Sequence, residues 1–288
     1  MLYQITDFDT KRYEVIDAIK DDIPAADLKI SLLLIACRSV HSKSKAAAIQ
    51  WDTQRKCFLD LLQNIPGVPM LLTMYRNPNV CFLDENVLDF IHWLMVMRCD
   101  PKIESVSCDY KQILESISEP QDIDIIPNYM FHVVYCPCTR YSTEWNRNKC
   151  RFQLKYGYVA ANLEDGFLKL FNGTMSTKNK LLCLNSNIKE TYRQSCFQQS
   201  WCKSLLGAHI KMLLAVEFID HPNLVNVCYW NCKLSPTNPL YNCGVEGKRF
   251  IVGDPTLARY AFILLYRKLV AILMVSTVKI SPPTVRTF

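Results

Sequence analysis

The most informative run of the sequence is WCKSLLGAHIKMLLAVEFIDHP, residues 201–222 of a 288-residue chain. From Ile210 to Ile219 it is almost continuously apolar, and it closes with Asp220-His221-Pro222. A short apolar run bounded by turn-forming residues favours a buried β-strand, and proline cannot continue a paired strand. We therefore expect a long β-strand over Ile210 to Ile219.

Hydrophobic periodicity changes along the chain, and this change predicts two domains. The first part has apolar residues at helical spacing, whereas the second part alternates with the period of β-strands. The segment between them, Glu119 to Pro127, is polar and proline-containing. We expect an α+β fold with an all-helical domain at 1–126, a sheet-containing domain at 127–268 and a short apolar tail at 269–288. The expected helices are 28–40, 57–65, 85–97, 110–117, 162–171 and 187–193; the other expected strands are 129–135, 151–158, 181–184, 250–252 and 260–266, and 223–247 is expected to be a loop.

The net charge changes sign at the same boundary. Residues 1–126 carry 13 Lys and Arg against 19 Asp and Glu, whereas residues 127–288 carry 20 against 8. Such asymmetry indicates two units with different surfaces. The basic unit is suited to a polyanionic ligand such as a dinucleotide, to RNA or to anionic lipid, and a plain solvated basic face is the alternative.

Cysteine usage and glycine content exclude several classes of site. The 14 cysteines are spread along a chain that begins without an apolar run of signal-peptide length, so we expect reduced thiols and no secretion. Two groups invite a zinc interpretation, but neither has the paired spacing of a zinc site, and we expect no metal. These groups are His132, Cys136, Cys138 and Cys150, and then Cys228, Cys232 and Cys243. Neither of the common glycine-rich phosphate-binding motifs is present.

Two motifs within residues 201–222 point to a family. Trp201-x-x-Ser204-Leu205-Leu206-Gly207, followed by Glu217-x-Ile219-Asp220-His221-Pro222, resembles the poly(ADP-ribose) polymerase family, in particular its tail-anchored mono-ADP-ribosyltransferase branch at the endoplasmic reticulum. Ala25-Ala26-Asp27-Leu28 is similar to the helical regulatory domain of that branch. The resemblance implies a split antiparallel sheet that binds NAD⁺ as a substrate, transfers ADP-ribose to protein acceptors and releases nicotinamide.

The residues at the family's catalytic positions differ from the family pattern. Aligned without gaps, the resemblance places the ribose-orienting histidine at Val159 and the following glycine at Ala160, with Tyr158 beside them; a shifted register would use Tyr156-Gly157 instead. The first stacking tyrosine falls on Cys183, and the third catalytic position falls on Phe262. The second stacking tyrosine falls on Gln194, and Tyr192, two residues away, is the candidate replacement. Tyr158, Ala160 and Tyr192 are therefore the candidate NAD⁺-binding residues, and no metal is implied.

Three functions remain open after this comparison. They are a working NAD⁺-dependent mono-ADP-ribosyltransferase, a catalytically dead binding or scaffold relative, and an RNA- or lipid-binding protein. We expect no nucleic-acid partner, because no common RNA-binding signature is present. The small or apolar residues at Val159, Cys183 and Phe262 are equally suited to a collapsed, core-filled cleft.

The apolar tail bears on where the protein resides. The run from Leu269 to Val278 is shorter than the roughly 20 residues that a membrane-spanning helix needs. It can dock on the sheet or lie at a membrane surface. We expect a monomer that faces the cytoplasm, with the endoplasmic reticulum membrane or the nuclear envelope as candidate locations.

Overall fold

The computed structural model describes residues 2–38, 64–76, 84–98, 100–107, 109–118, 125–137, 140–171, 181–222, 224–230 and 247–268. Its helices are α1 (Leu2–Asp21), α2 (Ile23–Arg38), α3 (Val68–Arg76), α4 (Glu85–His92, continued by a π-helical turn at Trp93–Met97), α5 (Tyr110–Ile117), α6 (Arg140–Lys149), α7 (Leu163–Phe171) and α8 (Ile188–Gln194). Its strands are β1 (Lys102–Ser105), β2 (Tyr129–Val134), β3 (Leu154–Ala161), β4 (Leu182–Asn185), β5 (Gln198–Gln199), β6 (His209–Ile219), β7 (Val225–Trp230), β8 (Gly247–Val252) and β9 (Ala258–Arg267).

The described strands form one antiparallel sheet in the order β1-β2-β9-β6-β3-β4-β8-β7, and β5 adds to one end of β6. Strand β6 lies between β3 and β9, and Met212 through Ile219 are all buried. A strand that is covered on both faces has no polar side to expose, so its sequence is continuously apolar. This position explains the run from Ile210 to Ile219 and confirms the strand expected there.

Different elements cover the two faces of the sheet. On one face, which we call the helical face, residues of β6 and β9 share a core with α1 to α4 and α7. On the other, the α5 face, Leu114 and Ile117 of α5 pack with Tyr158 of β3 and Leu264 of β9. Because side chains of a strand alternate between faces, neighbouring buried residues of a central strand belong to opposite cores.

Helix α2 is the buried centre of the helical layer. Its start is capped by Asp22, whose carboxylate accepts a hydrogen bond from the Ala25 amide at 2.9 Å, and Pro24 fits in the first turn. Almost every residue from Ala25 to Cys37 is buried. At the contact of α2 with α7 and β6, a Cβ atom on Gly166 would lie 2.6 Å from the Met212 methyl carbon, so this glycine permits the close packing of the layers.

The expected elements agree with the structure in most places, and the disagreements have physical causes. The expected helices at 85–97, 110–117, 162–171 and 187–193 are confirmed within a few residues, and so are the expected strands. Strand β1, which precedes residue 126, pairs with β2, so the first 126 residues are not all helical. Strand β7 lies inside the expected loop at 223–247 and pairs with β8. The expected helix at 57–65 lies, up to residue 63, outside the described residues.

Candidate functional site

The three positions at which the resemblance places catalytic residues lie on strands near the centre of the sheet. Val159 is on β3, Cys183 on β4 and Phe262 on β9. The pairing register aligns Tyr158 with Ala215 and Ala215 with Phe262, so these three side chains form a row on the α5 face. Val159 is opposite Leu214 and packs, half-buried, against the core of the helical face. The sheet therefore separates Val159 from Phe262.

Cys183 lies on the α5 face but apart from this row. Its strand meets β3 where Asn185 is opposite Tyr158, and Cys183 is two residues before Asn185. The Cys183 side chain is exposed to solvent. The gapless assignment therefore does not bring Val159, Cys183 and Phe262 into one pocket.

The shifted register places Tyr156 on the α5 face, where a catalytic group would have to lie. The Tyr156 hydroxyl donates to Oε1 of Glu217 at 3.2 Å, and Arg259 donates to Oε2 of Glu217 through Nε at 2.9 Å. Burial, followed by the charge of Glu217, raises the pKa of Tyr156 to about 12. The Tyr156 hydroxyl is thus held by a buried ion pair and stays protonated at neutral pH.

The glycine in this register has a packing role. A Cβ atom on Gly157 would lie 2.7 Å from Cβ of Leu184 in the neighbouring strand β4. A separation under about 3 Å between these carbons is not tolerated. Gly157 is therefore needed for the approach of β3 and β4, and the space beside it is filled by Leu184.

Tyr158 closes the centre of the α5 face. The side chain is 1% exposed, and its hydroxyl donates to the carbonyl of Ile117 at 2.9 Å and also contacts Oγ of Ser118. The last carbonyls of a helix have no partner within the helix, so Tyr158 satisfies one of those at the end of α5. Beside it, the Phe262 ring stacks on His132 with ring centroids 5.2 Å apart. Helix α5 is thereby fixed across the row that contains Tyr158 and Phe262.

Tyr192, the candidate replacement for a stacking tyrosine, already has partners on its ring. Its ring meets the Tyr266 ring edge-on at 4.8 Å, and the Lys211 ammonium lies 4.0 Å from its ring centroid. The same ammonium donates to the Tyr192 carbonyl at 3.0 Å. Burial lowers the pKa of Lys211 and raises that of Tyr266. Tyr192 thus packs, partly buried, in a cluster with Tyr266 and Lys211, whose ammonium already lies over its ring.

A polar network that the sequence analysis missed lies between β4 and α8. The Asn185 amide donates to Oγ1 of Thr191 at 3.2 Å and to Oε1 of Gln194 at 3.1 Å, and its oxygen accepts from Nε of Arg249 at 3.0 Å. Gln194 in turn donates to Oε1 of Glu190 at 2.9 Å. Gln194, at the second stacking position, is therefore a hydrogen-bonded amide. Single polar residues on separate elements give no sequence signal for such a network.

A cavity of about 380 Å³ lies on the helical side of the sheet, between α2, α7 and β5. It is lined by Ile35, Arg38, Glu164, Gln198, Gln199 and Ser200, and it includes none of the expected site residues.

Among the residues that the structure describes, no group of three His, Cys, Asp or Glu side chains is arranged to hold a metal ion. Cys138, Cys232 and Cys243, which belong to the two groups considered for zinc, lie outside the described residues. Within the described ranges, no helix combines the length and the apolar character needed to cross a bilayer. The tail at 269–288 is not described.

Comparison with known proteins does not place the chain in a family. No family model matches the sequence, and no curated protein matches it significantly.

Proposed function

We propose that this chain is a non-catalytic binding or scaffold protein built on an ADP-ribosyltransferase-like fold. The observation that carries the proposal is the buried Tyr158, which ties α5 across the face that holds Cys183 and Phe262, two of the three positions at which the resemblance places catalytic residues. The resemblance implies an antiparallel sheet, and the sheet here is antiparallel, with Cys183 and Phe262 on its α5 face and Val159 on the opposite face. The fold comparison itself rests on the motifs of residues 201–222.

The side chains at these positions do not supply the interactions that the reaction needs. Transfer of ADP-ribose requires a donor to the ribose hydroxyls and an aromatic face for nicotinamide, held in fixed geometry. Val159 has no donor and faces the other core, and the exposed Cys183 has no ring. Each missing hydrogen bond costs about 1–3 kcal/mol, and among residues that act as a unit the loss of one member already removes most of their shared contribution. Efficient turnover is therefore not expected.

A retained transferase is the second candidate, and one observation favours it. Tyr156 and Glu217 place a hydroxyl and a carboxylate on the α5 face beside the position expected for the nucleotide. In that case Tyr156 replaces the ribose-orienting histidine of the family. Binding of NAD⁺ would then require the Tyr156 hydroxyl to exchange its bond to Glu217 for a bond to ribose.

Thermal unfolding with and without NAD⁺ separates the two candidates. A ligand at 100 times its Kd stabilises a protein by about 2.7 kcal/mol, which raises Tm by roughly 5–10 °C for a domain of this size. We expect no shift at millimolar NAD⁺ and no transfer of biotin from biotinylated NAD⁺ to this protein or to lysate proteins. A shift in the wild type that is lost in Tyr156→Phe, together with transfer of biotin, would support the transferase candidate and refute the non-catalytic one. Tyr13→Phe, at a residue that is 66% exposed, is the matched control.

A further inference from the structure

A buried carboxylate joins the helical layer to the loop that precedes β6. Asp27 of α2 is completely buried, and its Oδ2 accepts hydrogen bonds from Oγ of Ser204 and from the Leu205 amide, the latter at 3.1 Å. Oγ of Ser204 in turn accepts from the Leu206 amide at 3.1 Å. We call residues 201–207 the docking loop. Asp27 thus fixes three consecutive residues of this loop to α2.

The docking loop is also held from the side of the sheet. Nε of Arg267, at the end of β9, donates to the Leu206 carbonyl at 2.7 Å, and its Nη2 donates to the Leu205 carbonyl. Gly207 adopts a φ of +111°, which favours glycine, and a Cβ atom there would lie 3.2 Å from Cγ of Arg267. Lys203 donates to the Ile65 carbonyl at 2.8 Å. The loop is therefore a junction, and Asp27 is its bond to α2.

One oxygen of this carboxyl group is left without a partner among the described residues. Oδ1 of Asp27 is buried and makes no hydrogen bond, and the same is true of Oγ of Ser31. Asp27 and Ser31 are four residues apart in α2, on the same side of the helix, yet Oδ1 and Oγ make no hydrogen bond with each other. Because no donor among the described residues reaches Oδ1, this oxygen is the one that can carry a proton. A bare carboxylate would leave a buried negative charge uncompensated, which is costly.

The charged groups around Asp27 do not neutralise it. Lys203 and Arg267, on the docking loop and on β9, both direct their hydrogens to carbonyl oxygens. Lys29 is two residues along α2, and side chains at that spacing do not face each other. Burial is accordingly the largest influence on Asp27 and raises its pKa, while the hydrogen bonds from Ser204, Leu205 and Leu206 partly oppose this.

We propose that Asp27 is a proton-operated latch, in which the carboxyl group is protonated on Oδ1 when the docking loop is bound and loss of that proton weakens the hold of α2 on the loop. The latch releases one proton to solvent and involves no covalent change. An acid whose pKa is raised by folding stabilises the docked state most at low pH. This contribution falls as the pH rises above about 3.9, the value for an unfolded aspartate, and is lost once the pH has passed the docked-state value.

Hydrogen exchange of the docking-loop amides in the full chain tests the latch. After correction for the intrinsic exchange rate, we expect protection of Leu205 and Leu206 to fall in the wild type by up to tenfold per pH unit within this window. In Asp27→Asn, whose amide mimics the protonated acid, protection should not depend on pH. Ser204→Ala, which removes a donor but no titrating group, should keep the pH dependence. Equal pH dependence in the wild type and in Asp27→Asn would overturn the proposal.

A measurement on the unmodified protein covers the case in which a variant fails to fold. The ¹³C chemical shift of the Asp27 carboxyl carbon reports its protonation directly. We expect its titration midpoint to lie above 3.9, the unfolded value. A midpoint at or below that value would refute the latch.

Discussion

Replacing Tyr158 with phenylalanine removes a single oxygen atom from the centre of the α5 face. That oxygen donates to the Ile117 carbonyl at 2.9 Å, and the side chain is 1% exposed, so water cannot replace the lost bond without opening the packing. An unsatisfied buried carbonyl costs about 1–3 kcal/mol. For a domain of this size, we expect Tyr158→Phe to lower Tm by roughly 2–10 °C. The effect should appear equally with and without NAD⁺.

The assay is chemical denaturation of the wild type, Tyr158→Phe and the control Tyr13→Phe. Tyr13 is 66% exposed, so its hydroxyl should contribute less than about 0.5 kcal/mol. If Tyr158→Phe unfolds at the same denaturant concentration as the control, the hydroxyl does not hold α5 in place. The α5 face would then be open to a ligand, and the reasoning behind the non-catalytic proposal would fail.

Three further substitutions or titrations test the same region. Gly157→Ala should destabilise the protein by about 1–3 kcal/mol in urea, because the added carbon would lie 2.7 Å from Cβ of Leu184; a neutral effect would show that β3 and β4 are not packed as described. Arg259→Met should lower the free energy of unfolding by about 3 kcal/mol, because it leaves Glu217 buried without its cation. Adding Glu217→Met should restore most of that stability. If the double variant is no more stable than the single one, the ion pair is not the cause. Tyr156 should ionise near pH 12. Its ionisation is measured as the difference between the ultraviolet titration curves of the wild type and Tyr156→Phe. Because its pKa is raised by folding, the associated stability is complete below about pH 10 and is lost as the pH approaches 12; ionisation near pH 10 would contradict the buried contact with Glu217.

The sequence predicted those elements whose burial is uniform along their length. Strand β6 is paired on both sides and covered on both faces, so its apolar run from Ile210 to Ile219 identifies it directly. Helix α5 has its buried residues at Leu114 and Ile117, one turn apart, which gives a clear helical period. Strand β1 reads Lys-Ile-Glu-Ser and has one buried residue, Ile103, so nothing in four residues separates it from a loop.

The catalytic positions expected from the sequence depended on which face of the sheet each strand residue occupies. A shift of one residue moves every side chain of a β-strand to the opposite face. The gapless alignment puts the ribose-orienting position at Val159, on the helical face, whereas Tyr156 and Tyr158 are on the α5 face. Sequence matching scores residue types and does not sense which face they occupy. The pairing of Tyr158 with Ala215, and of Ala215 with Phe262, provides this information.

The residues that carry the resemblance have structural roles in this chain. Trp201 is 2% exposed, Ser204 donates the docking loop's hydrogen bond to Asp27, and Gly207 supplies a backbone conformation that other residues rarely adopt. Glu217 is paired with Arg259. None of these roles requires a nucleotide. A protein that uses the fold only as a scaffold needs these residues for its stability. It does not need particular side chains at the positions that serve only catalysis, which here are valine, cysteine and phenylalanine. Under the proposed function, motifs that resemble the family combined with different side chains at its catalytic positions are the pattern expected of a non-catalytic protein on that fold. A working enzyme on the same fold would have to rebuild its ribose contact from Tyr156, which is already bound to Glu217.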